Sequence, residues 1–162
     1  MFADDCVIYT SVPDSHSQDR LNSALNSINN WCEINNMQLN KSKTKFMQFS
    51  TKTILHAYDY EIKQEFIEKV TEYKYLSVTF TTDLKFGTHV SNIVKKASAM
   101  LFYLSRHLRG STPKVRALCY QTYVRPILEY ASQVWSPKNH DQINLIEAVQ
   151  RKAARIVFRD FR

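Results

Sequence analysis

The 162-residue chain contains only two glycines and four prolines. A turn-rich β-sandwich needs many such residues at its chain reversals, so their scarcity favours a helix-rich fold. No stretch approaches 18 apolar residues without a charge, which predicts that the chain has no transmembrane helix. The first residues do not read as a basic segment followed by an apolar one, which predicts no secretory signal.

Cysteine is also scarce, and the three residues Cys6, Cys32 and Cys119 lie far apart. An odd number of widely spaced cysteines is typical of reduced thiols, and not of a disulfide framework or a zinc site. We therefore expect an intracellular protein.

Positive charge is abundant but unevenly distributed. Residues 1–82 carry eight Lys and Arg against ten Asp and Glu, a net charge of −2, whereas residues 83–162 carry 14 against five, a net charge of +9. Such asymmetry indicates a polyanionic partner for the second half. A solvated helical surface would produce the same composition, so charge alone does not decide between these interpretations.

The first half alternates strand and helix patterns. Apolar residues recur at helical spacing from Leu21 to Cys32, which predicts a helix that begins near Ser15 or Ser17 and ends at residues 35–36. Strands are expected around it because β-forming residues are enriched there. The expected strands are residues 6–11, 45–50, 58–62 and, with the strongest signal, 70–80.

After Asp83 the apolar period becomes helical, which predicts three helices. Pro126 must kink or restart the second of them, because proline cannot donate the backbone hydrogen bond. The last helix has an outer face with Arg151, Lys152 and Arg155. The markers are a first helix with apolar residues from Val90 to Leu108 and an end at Gly110, a second begun by Thr112 and Pro113, and a third capped within Asn139–Asp141.

Two adjacent carboxylates, Asp4 and Asp5, follow Phe2-Ala3 and precede an apolar run that begins at Cys6. This pattern suggests a strand hairpin with acids at its turn. Mg²⁺ is usually held by one or two carboxylates together with substrate phosphates, and two such ions can clamp the oxygens of an in-line displacement. A solvated acidic turn is the other interpretation, since short motifs match by chance often.

Further motifs follow the Asp pair along the chain. With it they are Phe2-Ala3-Asp4-Asp5, Trp31-Cys32, Asn36-Met37-Gln38-Leu39-Asn40, Lys43-Thr44-Lys45, Tyr73–Val78, His89, Ile93, Lys96-Ala97, Val124–Ala131, Val134-Trp135 and Gln150–Arg155. In the order and spacing of these motifs, the chain resembles the C-terminal part of a reverse transcriptase from a non-LTR retrotransposon of the jockey-like kind. This resemblance predicts an α+β fold, with a partial polymerase palm and primer-grip hairpin over residues 1–82 and a basic, all-helical thumb over residues 83–162.

The resemblance implies roles for single residues. Asp4 and Asp5 would bind metal ions, and Lys43 would be the third catalytic residue, a cation near the leaving pyrophosphate. The primer grip would be formed by Tyr73, Tyr75, Leu76 and Ser77. Phosphate contacts would come from Lys95, Lys96, Arg106, Arg109, Lys114 and Arg116.

A purely structural or surface role is an alternative for several of these residues. Lys43 fits a surface lysine equally well, and Tyr75 and Leu76 fit packing residues. About half of the basic set fits a merely solvated helix face. Further expectations concern residues outside the site: Trp31 and Trp135 in packing, and His89 and His140 near helix starts or on the surface.

The intact enzyme would use Mg²⁺ and deoxynucleoside triphosphates, with an RNA template, a DNA primer and their RNA–DNA hybrid as partners, in the cytoplasm and nucleus and without a membrane. Two departures from the family pattern stand out. Ser77 occupies a position where a glycine is usual, and the other metal-binding Asp and the fingers are not among these residues. We therefore expect the chain to be inactive alone. The alternative is a non-catalytic, basic nucleic-acid-binding remnant.

Overall fold

The computed structural model describes residues 5–11, 15–50 and 59–158. It combines helices with small two-stranded sheets, which confirms the α+β class. The chain divides into two compact units, Met1–Thr71 and Glu72–Arg162. Within the described ranges, none of the helices has the length and apolar character needed to cross a membrane.

The first unit is built on helix α1 (Ser15–Ile34). Asn36 has a φ of 54°, and the Met37 N–H donates to the Cys32 carbonyl at 2.8 Å, so the helix ends in the left-handed turn that the asparagine pair predicted. Cys32 is buried as expected, but Trp31 is 57% exposed. The expectation that Trp31 packs in a core was wrong, because the residue next to Cys32 lies about 100° away around the helix.

The strands of the first unit are much shorter than the sequence predicts. They are β1 (Lys45–Phe46), β2 (Glu61–Ile62), β3 (Glu65–Phe66) and β4 (Glu68–Lys69). β1 pairs in parallel with β4, and β2 pairs antiparallel with β3. The buried ring of Tyr60 meets Phe46 edge-on at 4.5 Å between centroids.

The strand expected over residues 6–11 is not formed, and these residues are largely exposed. Residue 58 of the expected 58–62 strand lies outside the described residues. β propensity produces a strand only where packing and pairing partners exist.

The second unit begins with a hairpin of strands β5 (Glu72–Tyr75) and β6 (Val78–Thr81), so the strand expected over residues 70–80 is folded back on itself. Helices follow through the described remainder of the chain. They are α2 (Gly87–His107), α3 (Pro113–Cys119), a π turn (Tyr120–Val124), α4 (Arg125–Glu129), α5 (Ser132–Trp135) and α6 (His140–Phe158).

The second compact unit starts at Glu72 and includes the hairpin, because the hairpin packs on the helices. Val78 of β6 is buried against Val90 and Ile93 of α2 and against Trp135. A second cluster joins α2 to α4 and α6. Its buried members are Ala97, Leu101, Val124, Leu128, Val149 and Ala153.

The helix boundaries follow local chemistry that the sequence displays. The Thr112 hydroxyl accepts from the Val115 N–H at 3.4 Å, and Pro113 occupies the first helical position. The Asn139 side chain accepts from the Asp141 N–H at 2.9 Å at the start of α6. Pro126 is preceded by the π turn, as expected of a proline that disrupts the α-helical hydrogen bonds before it.

Arg116, which was expected to contact phosphate, is instead a buried structural residue with 6% of its surface exposed. Its Nε and Nη2 donate to the Val157 carbonyl at 3.0 and 2.8 Å, and its Nη1 donates to the Ser111 carbonyl at 3.1 Å. The carbonyl of Val157 lies in the last turn of α6, where the helix itself provides no hydrogen-bond donor, and the guanidinium of Arg116 from α3 supplies one. The guanidinium is therefore committed to the fold.

Candidate functional site

The four expected primer-grip residues lie in one two-residue turn and the strand that leads into it. Tyr75 and Val78 form the last pair of the hairpin, with Leu76 and Ser77 between them. Leu76 and Ser77 have φ values of 45° and 67°. Positive φ at both central residues is the type I′ arrangement, which normally takes Asn, Asp or Gly. The glycine expected at position 77 would therefore fit this backbone better than Ser77 does.

The turn is held from the helical side by Tyr130. The Tyr130 hydroxyl donates to the Leu76 carbonyl at 3.1 Å, across 54 residues of sequence. The Trp135 indole N–H in turn donates to the Tyr130 carbonyl at 2.8 Å, and Trp135 is only 2% exposed. Ala131 between them has a φ of 53°, which reverses the chain after α4. The expectation that Trp135 packs is thus confirmed, whereas Tyr130, which the sequence presented only as part of a family motif, anchors the hairpin turn.

His89 fixes the other strand of the hairpin. It is the third residue of α2 and is 2% exposed, so the expectation of a position near a helix start is confirmed, but it does not lie on the surface. Its Nδ1 accepts from the Thr79 N–H at 3.2 Å, and its ring meets Trp135 edge-on at 5.1 Å between centroids. His140, by contrast, is exposed at the start of α6.

Burial lowers the pKa of His89 below its usual value. Because Nδ1 is the acceptor, the proton of the neutral ring resides on Nε2, for which the described residues provide no hydrogen-bond partner. The neutral form is the one compatible with this contact.

The hairpin presents a partly polar outer surface. Glu72, Tyr73 and Lys74 are exposed, Tyr73 by 38%, while Tyr75 and Leu76 are half-buried. Tyr73 pairs with Phe80 across the hairpin. The structure therefore gathers Tyr73, Tyr75, Leu76 and Ser77 at one edge of the second unit.

The expected catalytic residues belong to the first unit. Asp4 lies outside the described residues, and Asp5 is exposed. Lys43 is an exposed residue of the turn at 41–43, where the Asn40 side chain accepts from its N–H at 3.1 Å. Across the described ranges, no three or more His, Cys, Asp and Glu side chains form a group that could hold a metal ion. A complete ligand set for Mg²⁺ is thus not assembled by these side chains.

Five members of the expected phosphate-contact set are exposed, and only Arg116 is not. Lys95 and Arg106 lie on one face of α2 at helical spacing, and Arg109 follows the end of that helix. Arg106 comes eleven residues after Lys95, which corresponds to about 16.5 Å along the helix axis. The other two exposed members are Lys96 on α2 and Lys114 on α3.

The outer face of α6 and the end of α2 border one cleft. Phe102 of α2 and Arg109, two residues after the end of α2, line one side, and Arg151, Lys152 and Arg155 of α6 line the other. Sequence reasoning treated the basic groups on these two helices as separate faces. Only the packing of α2 on α6 brings them together, and the spacing within either helix carries no sign of it.

Comparison with known proteins finds similarity to polymerases of mobile elements. Residues 1–80 match the family model of reverse transcriptase (RNA-dependent DNA polymerase). Two curated proteins of Drosophila melanogaster, named "Probable RNA-directed DNA polymerase from transposon BS" and "Probable RNA-directed DNA polymerase from transposon X-element", are each 27% identical over 96% of this chain. The chain spans 18% of the length of these relatives. No solved structure matches the chain significantly.

Residues 1–80 are thus similar to reverse transcriptases. The alignment with the two transposon polymerases runs through the helical unit as well as through the region of the family model, so this similarity extends over 96% of the chain.

Replacing Ser77 by glycine should stabilise the chain. A non-glycine residue in the left-handed region costs about 1–2 kcal/mol, part of which is offset by the greater unfolded-state entropy of glycine. We expect Ser77→Gly to raise the free energy of unfolding by about 0.5–1 kcal/mol in urea denaturation.

The control for this change is Ser77→Ala, which removes the hydroxyl group but keeps the Cβ atom and its strain. The explanation fails if alanine stabilises the chain as much as glycine does, or if glycine destabilises it.

The stability of the second unit should depend on pH through His89. Its folded-state pKa is lowered, so its contribution is fully present above the unfolded-state pKa of about 6.5 and is lost as the pH falls through the folded-state pKa. Urea denaturation at pH 7.5 and at mildly acidic pH should show a loss of stability that His89→Gln reduces.

The matched control is His107→Gln, since His107 is an exposed histidine near the other end of α2. An equal pH dependence in wild type and His89→Gln would show that His89 is not the group responsible.

Proposed function

We propose that these residues belong to the RNA-directed DNA polymerase of a jockey-like non-LTR retrotransposon and hold its primer–template. In this proposal residues 1–82 form part of the palm and the primer-grip hairpin, and residues 83–162 form the thumb. The family match over residues 1–80 and the 27% identity to two transposon polymerases support it. Deoxynucleoside triphosphates, the RNA template and the DNA primer are the ligands of the intact enzyme.

The observation that carries the proposal is the attachment of the hairpin turn to the helical unit. Tyr130 holds the Leu76 carbonyl, and His89 holds the Thr79 amide. The turn and α2 are therefore fixed to each other within one compact unit. A duplex held along the exposed face of α2 would keep a constant relation to the turn.

The α2 side chains suit backbone contact with a nucleic acid. Lys95 and Lys96 are exposed two and three residues after the buried Ile93, which packs the helix against the hairpin. Lysine is a flexible point charge, which suits phosphate contact without base readout. An RNA–DNA hybrid would be recognised by its shape and its phosphates.

Asp4 and Asp5 are proposed as part of the metal site of the intact enzyme, and Lys43 as a nearby cation. Reverse transcriptases in general use a divalent metal ion, and Mg²⁺ bound at such carboxylates stabilises the attacking and leaving oxygens. Because the described side chains do not assemble a full ligand set, the proposal assigns to this chain a share of the site and not the whole of it.

The 162-residue chain should bind an RNA–DNA hybrid through Lys95 and Lys96. Each phosphate contact contributes about 0.9 to the slope of log affinity against log salt on B-form DNA, and we use that as a guide for the hybrid. Lys95→Gln with Lys96→Gln should therefore flatten the slope by about 1 to 2, measured by fluorescence anisotropy over a salt series.

The charge-matched control is Lys85→Gln with Lys138→Gln, which removes two exposed lysines outside α2. Equal effects of the two double variants would mean that the lost charge is general and not a contact on α2. Absence of hybrid binding by the wild-type chain at low salt would refute the thumb assignment.

The 162 residues alone should not extend a primer on an RNA template with Mg²⁺ or Mn²⁺. Metal catalysis needs ligands fixed in place, and the described side chains provide no group of three. Extension that disappears in both Asp4→Ala and Asp5→Ala would contradict this expectation and show that the pair is sufficient.

A further inference from the structure

The cleft between the C-terminal half of α2 and α6 is large and open, with a volume of about 1000 Å³. It is lined by Phe102 and Ser105 of α2, by Leu108 and Arg109 just after that helix, by Arg116 of α3, and by Ala148, Arg151, Lys152, Arg155 and Ile156 of α6. It lies towards the C-terminal end of α2, whereas the hairpin packs on Val90 and Ile93 near the N-terminal end. The lining therefore does not include Lys95 or Lys96, which carry the proposed hybrid contact.

The rim of the cleft has uncompensated positive charge. Arg109, Lys152 and Arg155 line it, and none of them forms an ion pair with a described residue. Arg151 is the exception, since its Nη1 pairs with Glu147 at 2.9 Å. In the described part of the chain, no Asp or Glu lines the cleft. Such a rim favours an anionic ligand.

The lining also contains three large apolar side chains, Phe102, Leu108 and Ile156. Phe102 is 55% exposed, and the Arg106 guanidinium lies 5.7 Å from the centroid of its ring. An exposed aromatic ring beside arginine is a surface on which a nucleobase stacks.

We propose that this cleft binds single-stranded nucleic acid, with bases on the apolar side chains and phosphates at the basic rim. A duplex presents phosphates outward and keeps its bases stacked inside, so it would leave Phe102 without a partner. A single strand presents bases and phosphates together, which matches both parts of the cleft. The inference rests on the proposed function in so far as that function supplies a single-stranded template.

The test compares two ligands on the same protein: a fluorescein-labelled oligouridylate and an RNA–DNA hybrid. Lys152→Gln with Arg155→Gln should flatten the salt slope for oligouridylate by about 1.4, since each phosphate contact on a single strand contributes about 0.7. Phe102→Leu should weaken oligouridylate binding roughly tenfold and leave the salt slope unchanged, because only stacking is lost.

The matched control is Lys95→Gln with Lys96→Gln, which should affect the hybrid and spare oligouridylate. Circular dichroism of each variant verifies that the helices are intact. The cleft proposal is overturned if Lys152→Gln with Arg155→Gln leaves oligouridylate binding unchanged, or weakens the hybrid more than oligouridylate. It is also overturned if inorganic polyphosphate binds as tightly as oligouridylate and Phe102→Leu has no effect.

These outcomes separate the two proposals. If the cleft variants do not change oligouridylate binding but Lys95→Gln with Lys96→Gln still weakens hybrid binding, only the single-strand site is refuted. If the wild-type chain does not bind the hybrid but the cleft variants still weaken oligouridylate binding, only the thumb assignment is refuted.

Discussion

The contact between the Thr79 amide and the buried His89 ring is the constraint on which the second unit depends. It joins a strand to the first turn of α2, and Trp135 closes over the same ring. The Trp135 indole N–H also donates a hydrogen bond to the Tyr130 carbonyl, and the Tyr130 hydroxyl donates one to the Leu76 carbonyl in the hairpin turn. A two-stranded hairpin is marginal by itself in water, so its position follows from these helical contacts.

Local signals in the sequence were enough for most helix boundaries and for the α+β class. Thr112-Pro113 and Asn139 mark helix starts, and Asn36 marks the end of α1, because each acts on neighbouring backbone groups. The strands of the first unit were overestimated, because propensity does not reveal whether a pairing partner is present. Trp31 and Arg116 were misjudged because burial depends on elements distant in sequence.

The candidate site was predictable to the extent that its residues are contiguous. Tyr73 to Ser77 come together because a short hairpin keeps its own residues close. The anchor from Tyr130 spans 54 residues, and no periodic pattern connects the two positions. The cleft was not predictable either, since its walls come from α2 and α6, whose basic groups look like independent solvated faces until the helices pack.

The central claim is that the hairpin is a structural part of the helical unit, and native-state hydrogen exchange tests it most directly. The amides of Val78–Thr81 that are hydrogen-bonded, above all Thr79, should open with the same free energy as the core of α2 around Ala97 and Leu101. Residues of α1 should form a separate group with its own opening free energy. If the β6 amides exchange together with α1, or much faster than α2, the hairpin is not held by the helices and the account is contradicted.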